Sequence, residues 1–392
     1  MSNSIYRVFT ENLGGTNVEE FVGKNGQIFY DPDKGDLRVS DGITAGGIPL
    51  TGGNSWKRST DWLEMPEVLE TEEKFVGLFA VYDLPENFIA LYFEGNYTVD
   101  WGDGNIQNVN SGVTAQHSYN WSDISSDTLT SEGYRQVLVT VTPQSGQNLT
   151  IMDLSVRHDN VNNGDYINTP WLDLAVSMPN ADTGGSLRFS GYEYGLNSDG
   201  YSLDVQRIRI VHAGGMTDFT ECFFSCSSLR KVEILKSPSA DNFSYIFDYC
   251  STLTDVVLSD TATVTNMNHM FYYCSSLITV PLFDTSSVTS MYDMFDSCSS
   301  LITVPLFDTS SVTNMSSMFF SCSNLQIAAL SGTSVDISYQ NCLLGRQAIV
   351  DIFNGLATVS GKTINIANNY GVADLISTDY DIASNKGWTV TV

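Results

Sequence analysis

Apolar residues recur with a fixed period through the C-terminal half of the chain. Cys226, Cys250, Cys274, Cys298 and Cys322 mark a constant 24-residue period. Leu229, Leu253, Leu277, Leu301 and Leu325 fall in the same register, as do Val232, Val256, Val280 and Val304, followed by Ala328. Further columns are Ile234, Leu258, Leu282, Leu306 and Leu330; Phe223, Phe247, Phe271, Phe295 and Phe319; and Met267, Met291 and Met315. The stretch CSSLITVPLFDTSSVT occurs at 274–289 and again at 298–313. A coil of this length cannot bury its own apolar side, so a strict repeat predicts a solenoid whose stacked coils share one core. The L-x-x-V-x-L part predicts the strand. The M-x-x-M-F-x-x-C part predicts a returning helical or 3₁₀ turn, since i, i+3, i+4 spacing puts Met291, Met294 and Phe295 on one face. Past Cys322 the repeat degrades. Residues 345–392 predict helix (347–357), strand (363–366), helix (372–386) and strand (388–392), a cap over the last core face.

Upstream the period changes to two. In 76–145, LFAVYDL, FIALYFEGNYTVDWG and QVLVTVTP are strand candidates, with Val99, Trp101 and Val137, Val139, Val141 alternating as sandwich strands do. A tight turn over 101–104 separates them from His117. Asp103 is expected to cap that turn and His117 to bond inside the sandwich. Residues 146–204 read as an irregular β region in which WLDLAV and SLRFSG are the first coils and polar stretches are loops. In the front, strands at 27–30 and 37–39 flank Asp31-Pro-Asp-Lys-Gly35 and predict a hairpin. Asp31, Asp33 and Asp36 begin like a calcium loop, but the bidentate Glu of such a loop does not follow, so they are read as turn residues. The fold class is mainly β and multi-domain. It comprises an N-terminal β-hairpin module (1–55), a linker (56–75), an immunoglobulin-like β-sandwich (76–145), the irregular region (146–204), the solenoid (205–344) and an α/β cap (345–392).

Composition narrows the function classes. The chain has 392 residues, 45 acidic against 18 basic, and a formal charge of −27. Such a balance argues against nucleic-acid partners and polybasic membrane binding, since phosphates need a positive footprint. No apolar run is long enough for membrane insertion. The opening MSNSIYRVFTENLGG lacks a basic segment followed by an apolar one, so no secretory signal is expected. Seven cysteines, an odd number, argue against a closed disulfide framework. Stacked at one coil position, they suit buried thiols that bond backbone carbonyls.

No catalytic set is found: no Walker A loop, no GxSxG elbow and no HExxH. The four histidines are scattered, and Asp260, Asp284 and Asp308 share one repeat column, which suits turn caps rather than an active site. The expectation is a non-enzyme with no cofactor, no metal and no catalytic residue. The surface is more informative. From 237 to 345 there is no Lys or Arg and nine Asp. Thr279, Phe283, Thr303 and Phe307 alternate with buried Val and Leu, so Phe283 and Phe307 either form an exposed aromatic ladder or tuck under a neighbouring turn; the ladder makes them candidates. Tyr272, Tyr273 and Tyr292 decorate the returning side. These seven are the candidate receptor-binding residues. Cys226, Cys250, Cys274, Cys298, Cys322, Phe271, Phe295 and Phe319 are the candidate repeat core.

Four stretches carry resemblances. MFYYCSSLITVPLFDTSSVTSMYDMFDSCSSL resembles the leucine-rich repeats of BspA-type bacterial surface proteins, over about 205–392. AIVDIFNGLATVSGKTINIANNYGVADLISTDYDIASNKGWTV resembles the repeat terminus of tail-fibre-like proteins of tailed phages. YTVDWGDG with HSY and LVTVTP is similar to a polycystic-kidney-disease-type (PKD) domain. GQIFYDPDKGDLRVSDG resembles the small N-terminal module of phage tail and tropism proteins. Together they imply a bacteriophage virion protein, a tail fibre for host recognition and adhesion. It would join other virion proteins through its N-terminal module, bind a host cell-surface glycan or protein, form a homotrimer and be made in the host cytoplasm. The alternative is a capsid or neck decoration protein.

Overall fold

The computed structural model describes residues 56–85, 87–156, 158–159, 167–189 and 201–392, together with three short N-terminal strands. Those strands are Ile28–Asp31 (β1), Asp36–Val39 (β2) and Ile48–Pro49 (β3). β1 and β2 pair antiparallel with Ile28 opposite Val39, so the expected hairpin forms, and β3 adds to β2. The reading of Asp31, Asp33 and Asp36 as turn rather than calcium ligands falls outside the described side chains.

Six strands follow: Lys74–Val81 (β4), Asn87–Glu94 (β5), Tyr97–Asp100 (β6), Ile106–Val109 (β7), Thr114–Tyr119 (β8) and Arg135–Pro143 (β9). The single strand expected across FIALYFEGNYTVDWG is therefore two, broken at Gly95, whose φ is +95°. A Cβ there would sit 1.9 Å from the Asn148 carbonyl oxygen, so only glycine fits. Then come Ile151–Asp153 (β10), Ile167–Thr169 (β11), Trp171–Ser177 (β12), Ser186–Arg188 (β13), Tyr201–Leu203 (β14) and Arg207–His212 (β15), and, in the repeats, Lys231–Ile234 (β16) and Asp255–Leu258 (β17).

The strand order corrects the domain boundaries read from sequence. One eight-stranded sheet runs β17-β16-β15-β12-β4-β9-β6-β7. β12 pairs antiparallel with β4 on one side and parallel with β15 on the other. The sandwich and the coil stack thus share a sheet, joined through WLDLAV. The facing sheet, β13-β10-β5-β8, does the same on the returning side, because Phe189 just beyond β13 stacks on Phe223 at 5.1 Å. One apolar core runs unbroken from Phe75 to Trp388. Sequence placed a boundary near 146 because a change from antiparallel to parallel pairing also changes the hydrophobic period.

The stretch 56–75 is not a free linker. β4 is buried on both faces because this strap covers its outer side. Trp62 packs with Leu78, Ala80, Tyr134 and Leu172, and its indole N–H donates to the Tyr134 hydroxyl at 2.8 Å. Arg58 Nε reaches Asp173 Oδ2 at 2.8 Å. Arg207 lies 3.4 Å from the same buried oxygen, so the two guanidiniums neutralise a carboxylate that would otherwise be costly inside.

In the stack, β15, β16 and β17 pair parallel, with Ile208, Val232 and Val256 in register one repeat apart. Isolated parallel bridges carry the register on, at Thr279, Thr303 and Ile327 on one side and at Asn242, Asn266, Ser290 and Asn314 on the other. Seven aromatic rings pile up inside, from Phe189 through Phe223, Phe247, Phe271, Phe295 and Phe319 to Tyr339, with centroids 5.1–5.9 Å apart. All seven cysteines are free and buried. Cys250, Cys274, Cys298 and Cys322 donate to the carbonyls of Phe223, Phe247, Phe271 and Phe295 at 2.9–3.1 Å. Burial pushes their thiols well above the usual range, which keeps the S–H donor in place.

The returning segment is a chain of turns, neither the helical nor the 3₁₀ form expected. Its alternate N–H groups leave the coil: Phe247 donates to the Met270 carbonyl and Tyr249 to that of Tyr272, at 3.1 and 2.9 Å. A helix would keep those donors to itself. The chain ends in Ile337–Ser338 (β18), Arg346–Gly355 (α1), Lys362–Asn365 (β19), Ser377–Ser384 (α2) and Trp388–Thr391 (β20). β18, β19 and β20 form a parallel sheet over the last coil, with the helices between. Arg346 bonds Asp379 through two nitrogens at 2.8 and 2.9 Å and ties α1 to α2. The expected second helix is shorter, because a 3₁₀ turn, Tyr370–Asp374, occupies its start.

Candidate functional site

Each coil places two residues in left-handed backbone conformation on the turn side. One column is Glu221, Tyr245, His269, Asp293 and Ser317, with φ between 53° and 58°. The other is Ser225, Tyr249, Tyr273, Ser297 and Ser321, with φ between 57° and 62°. No glycine occupies them, so each costs on the order of 1 kcal/mol. Turning alternate N–H groups toward the next coil requires this conformation, and the inter-coil hydrogen bonds offset the cost. Side chains at these positions lie outside the apolar core, with Tyr249 and Tyr273 exposed and Asp293 buried.

The middle coils fill the columns with aromatic rings. Tyr245 stacks on His269 at 4.5 Å and Tyr249 on Tyr273 at 4.9 Å, both within about 12° of parallel. Tyr272 meets Tyr249 and Tyr273 edge-on, at 5.6 and 4.8 Å. His269 meets Tyr272 and Tyr292 edge-on, both at 5.1 Å. These six rings form one contiguous field across three coils, and Phe224, one coil before, meets Tyr249 edge-on at 6.1 Å. Tyr249, Tyr273 and Tyr292 are 44%, 42% and 37% exposed.

Carboxylates lie among the rings, with Asp293 beside His269 and Asp248 and Asp296 near Tyr272. Asp248 and Asp293 are buried, and each leaves Oδ1 without a hydrogen-bond partner. Burial, helped by nearby Glu221, pushes the Asp248 carboxyl up to about 7. Burial also raises Asp296. Burial lowers His269, against the pull of Asp293, whose Oδ2 lies 3.6 Å from its Nε2. Tyr272 rises to about 12, first by burial and then by the charge of Asp296.

A pH prediction follows. Unfolded Asp248 ionises near 4 and folded Asp248 near 7, so the native state is the better proton binder between them. Stability therefore falls as pH rises from about 4 to 7, on the order of a few kcal/mol at most. Asp248→Asn is expected to flatten that slope and to raise the urea midpoint at pH 8 but not at pH 4. An unchanged slope in the variant would place the titration elsewhere.

The other candidate residues lie on the strand side, and there the exposed ladder is corrected. Phe283 and Phe307 are buried, with centroids 4.7 Å apart, whereas Leu282 and Leu306 are exposed. Proline is the cause. Pro281 and Pro305 have no N–H for the inter-coil ladder. The Phe307 N–H donates to Pro305 O at 2.9 Å, a tight turn that throws Leu306 out and Phe307 in. Coils without proline keep Ile234 and Leu258 inside. Thr279 and Thr303 face each other across one parallel bridge, half-buried and buried respectively. Of the seven candidates, only Tyr272, Tyr273 and Tyr292 come together in the aromatic field. Sequence reasoning missed Tyr245, Tyr249 and His269 there, although each sits one repeat before a ring or carboxylate of the same column.

In the sandwich, His117 Nε2 meets Asp103 Oδ2 at 2.7 Å, and its ring stacks on Trp101 at 5.0 Å. Asp103 also accepts the Asn105 N–H. The contacts pin a turn. A cleft of about 370 Å³ between strap and sheet is lined by Arg58, Asp173 and Arg207, whose charges are paired as described. Among the described residues no group of three His, Cys, Asp or Glu side chains could hold a metal, and no helix is long and apolar enough to cross a membrane.

Fold and site define a mainly β protein whose parallel coil stack carries an acidic, aromatic face. Residues 215–338 match a family model described as "Mycoplasma protein of unknown function, DUF285". No curated protein matches the chain. A similar solved structure is the crystal structure of a leucine-rich repeat protein of T. pallidum (TpLRR). It is 18% identical, over 56% of this chain and 90% of that one, with a TM-score of 0.36.

Proposed function

We propose that the chain is a non-enzymatic bacteriophage virion fibre protein that recognises a host cell surface through a leucine-rich-repeat solenoid. The observation that carries this reading is the aromatic field. Half-exposed tyrosines held rigidly by backbone on adjacent coils are the kind of surface that gives contact area at low entropic cost. The PKD-like sandwich, fused to the first coil, would cap the stack and carry it. The N-terminal module would join other virion proteins and support a homotrimer, so that weak sites act together.

The test is saturable binding of the labelled full chain to intact bacteria from a panel of candidate hosts, with competition against particle adsorption. Binding that blocks adsorption supports the reading. Absence of binding across the panel, including for an enforced trimer, moves the assignment to a capsid or neck decoration protein.

A further inference from the structure

We propose that the tyrosine face binds an organic ammonium cation, of choline or amino-sugar type. This deepens the reading that the face is the ligand-binding surface, and it rests on that reading.

Three observations converge on it. First, the Tyr249–Tyr273 stack is flanked by small residues in its own column, Ser225 one coil before and Ser297 one coil after. Beyond Tyr273 the step to the Ser297 hydroxyl ends the stack, whereas on the other side Phe224 meets Tyr249 edge-on at 6.1 Å. Second, the charge is one-sided. No Lys or Arg occurs from 237 to 345. Asp248, charged above about pH 7, and Asp293 are buried in the ring-bearing coils with one oxygen each unpaired, and Asp296 follows Tyr272 in its column. Third, five of the six rings are tyrosines, whose negative π faces add to the field of the carboxylates. A weakly hydrated cation gains from both at once, and most when partly desolvated. An anionic ligand is repelled by the same field and finds no arginine in these coils to meet it. A neutral sugar would use the ring faces but gain nothing from the carboxylate charge.

The experiment is calorimetric titration of the full chain with choline and, in parallel, with 3,3-dimethylbutan-1-ol, which has the same shape without the charge. Choline is expected to bind saturably and the alcohol about 10-fold more weakly. Tyr273→Ser should weaken choline binding by about 10-fold and Asp296→Asn by about 3-fold. Serine already fills this column in neighbouring coils, so an unchanged melting temperature is expected for Tyr273→Ser. Glucosamine, run beside choline, distinguishes an amino-sugar source from a trimethylammonium headgroup. Equal binding of choline and the alcohol would overturn the proposal. So would binding of a neutral N-acetylated oligosaccharide without choline binding, or no binding by either ammonium ligand. Choline binding by a chain that adheres to no cell leaves the cation site standing and removes the fibre reading, so the two failures are distinguishable.

Discussion

Phe271→Ala is expected to destabilise the protein by about 3–5 kcal/mol, read as a drop in the urea midpoint. Phe271 is fully buried between Phe247 and Phe295, with its ring 5.3 and 5.5 Å from theirs. Its carbonyl accepts the Cys298 thiol at 3.0 Å. Coils on either side hold the backbone, so the void cannot collapse, and both neighbouring rings lose a stacking face. Phe320 is the control. It lies one residue after Phe319 but is 61% exposed, and Phe320→Ala should stay within about 0.5 kcal/mol. Equal effects at the two positions would contradict the described stack.

Gly77→Ala is the second large effect. Gly77 lies on β4, opposite Leu174 of β12 and Val139 of β9. A Cβ there would lie 2.2 Å from Trp171 Cζ3 and 2.9 Å from Leu174 Cδ2. Trp171 cannot yield, since it is fully buried and packed edge-on against Phe75 and Phe79 at 5.6 and 5.3 Å. The expected cost is about 2–3 kcal/mol. Trp171→Leu makes room, so the double variant should cost less than the sum of the singles. Additivity would show that the two residues do not meet. Because they sit where sandwich and stack share a sheet, both parts should melt together in the single variant.

The repeat was legible in the sequence because a strict register leaves few arrangements that bury Leu, Val, Phe and Cys together. The cap was legible through ordinary helical and strand periods. The junction was not. Phe189 belongs to the ring stack, but it lies farther from Phe223 along the chain than one repeat, so it falls out of register. The strap ahead of β4 reads as polar because only Trp56, Trp62, Leu63, Met65 and Val68 among its residues seek the sheet, at no fixed period. At the site, alternation along the strand gave the wrong face to Phe283 and Phe307. The rule assumes a continuous strand, and Pro281 and Pro305 interrupt it. The same period puts Tyr272, Tyr273 and Tyr292 on the returning side, where they are found. Their assembly into one field depends on left-handed backbone that no residue there advertises, since the positions hold Tyr, His, Asp and Ser rather than Gly.

The most direct test of the recognition surface compares the full chain with the Tyr249→Ser/Tyr273→Ser variant for saturable adhesion to host bacteria. Both substitutions copy what Ser225, Ser297 and Ser321 already place in that column. The expected result is an unchanged melting temperature and adhesion weakened by at least about 10-fold, since two central aromatic anchors are removed. Undiminished adhesion by a folded variant would contradict the assignment of this face.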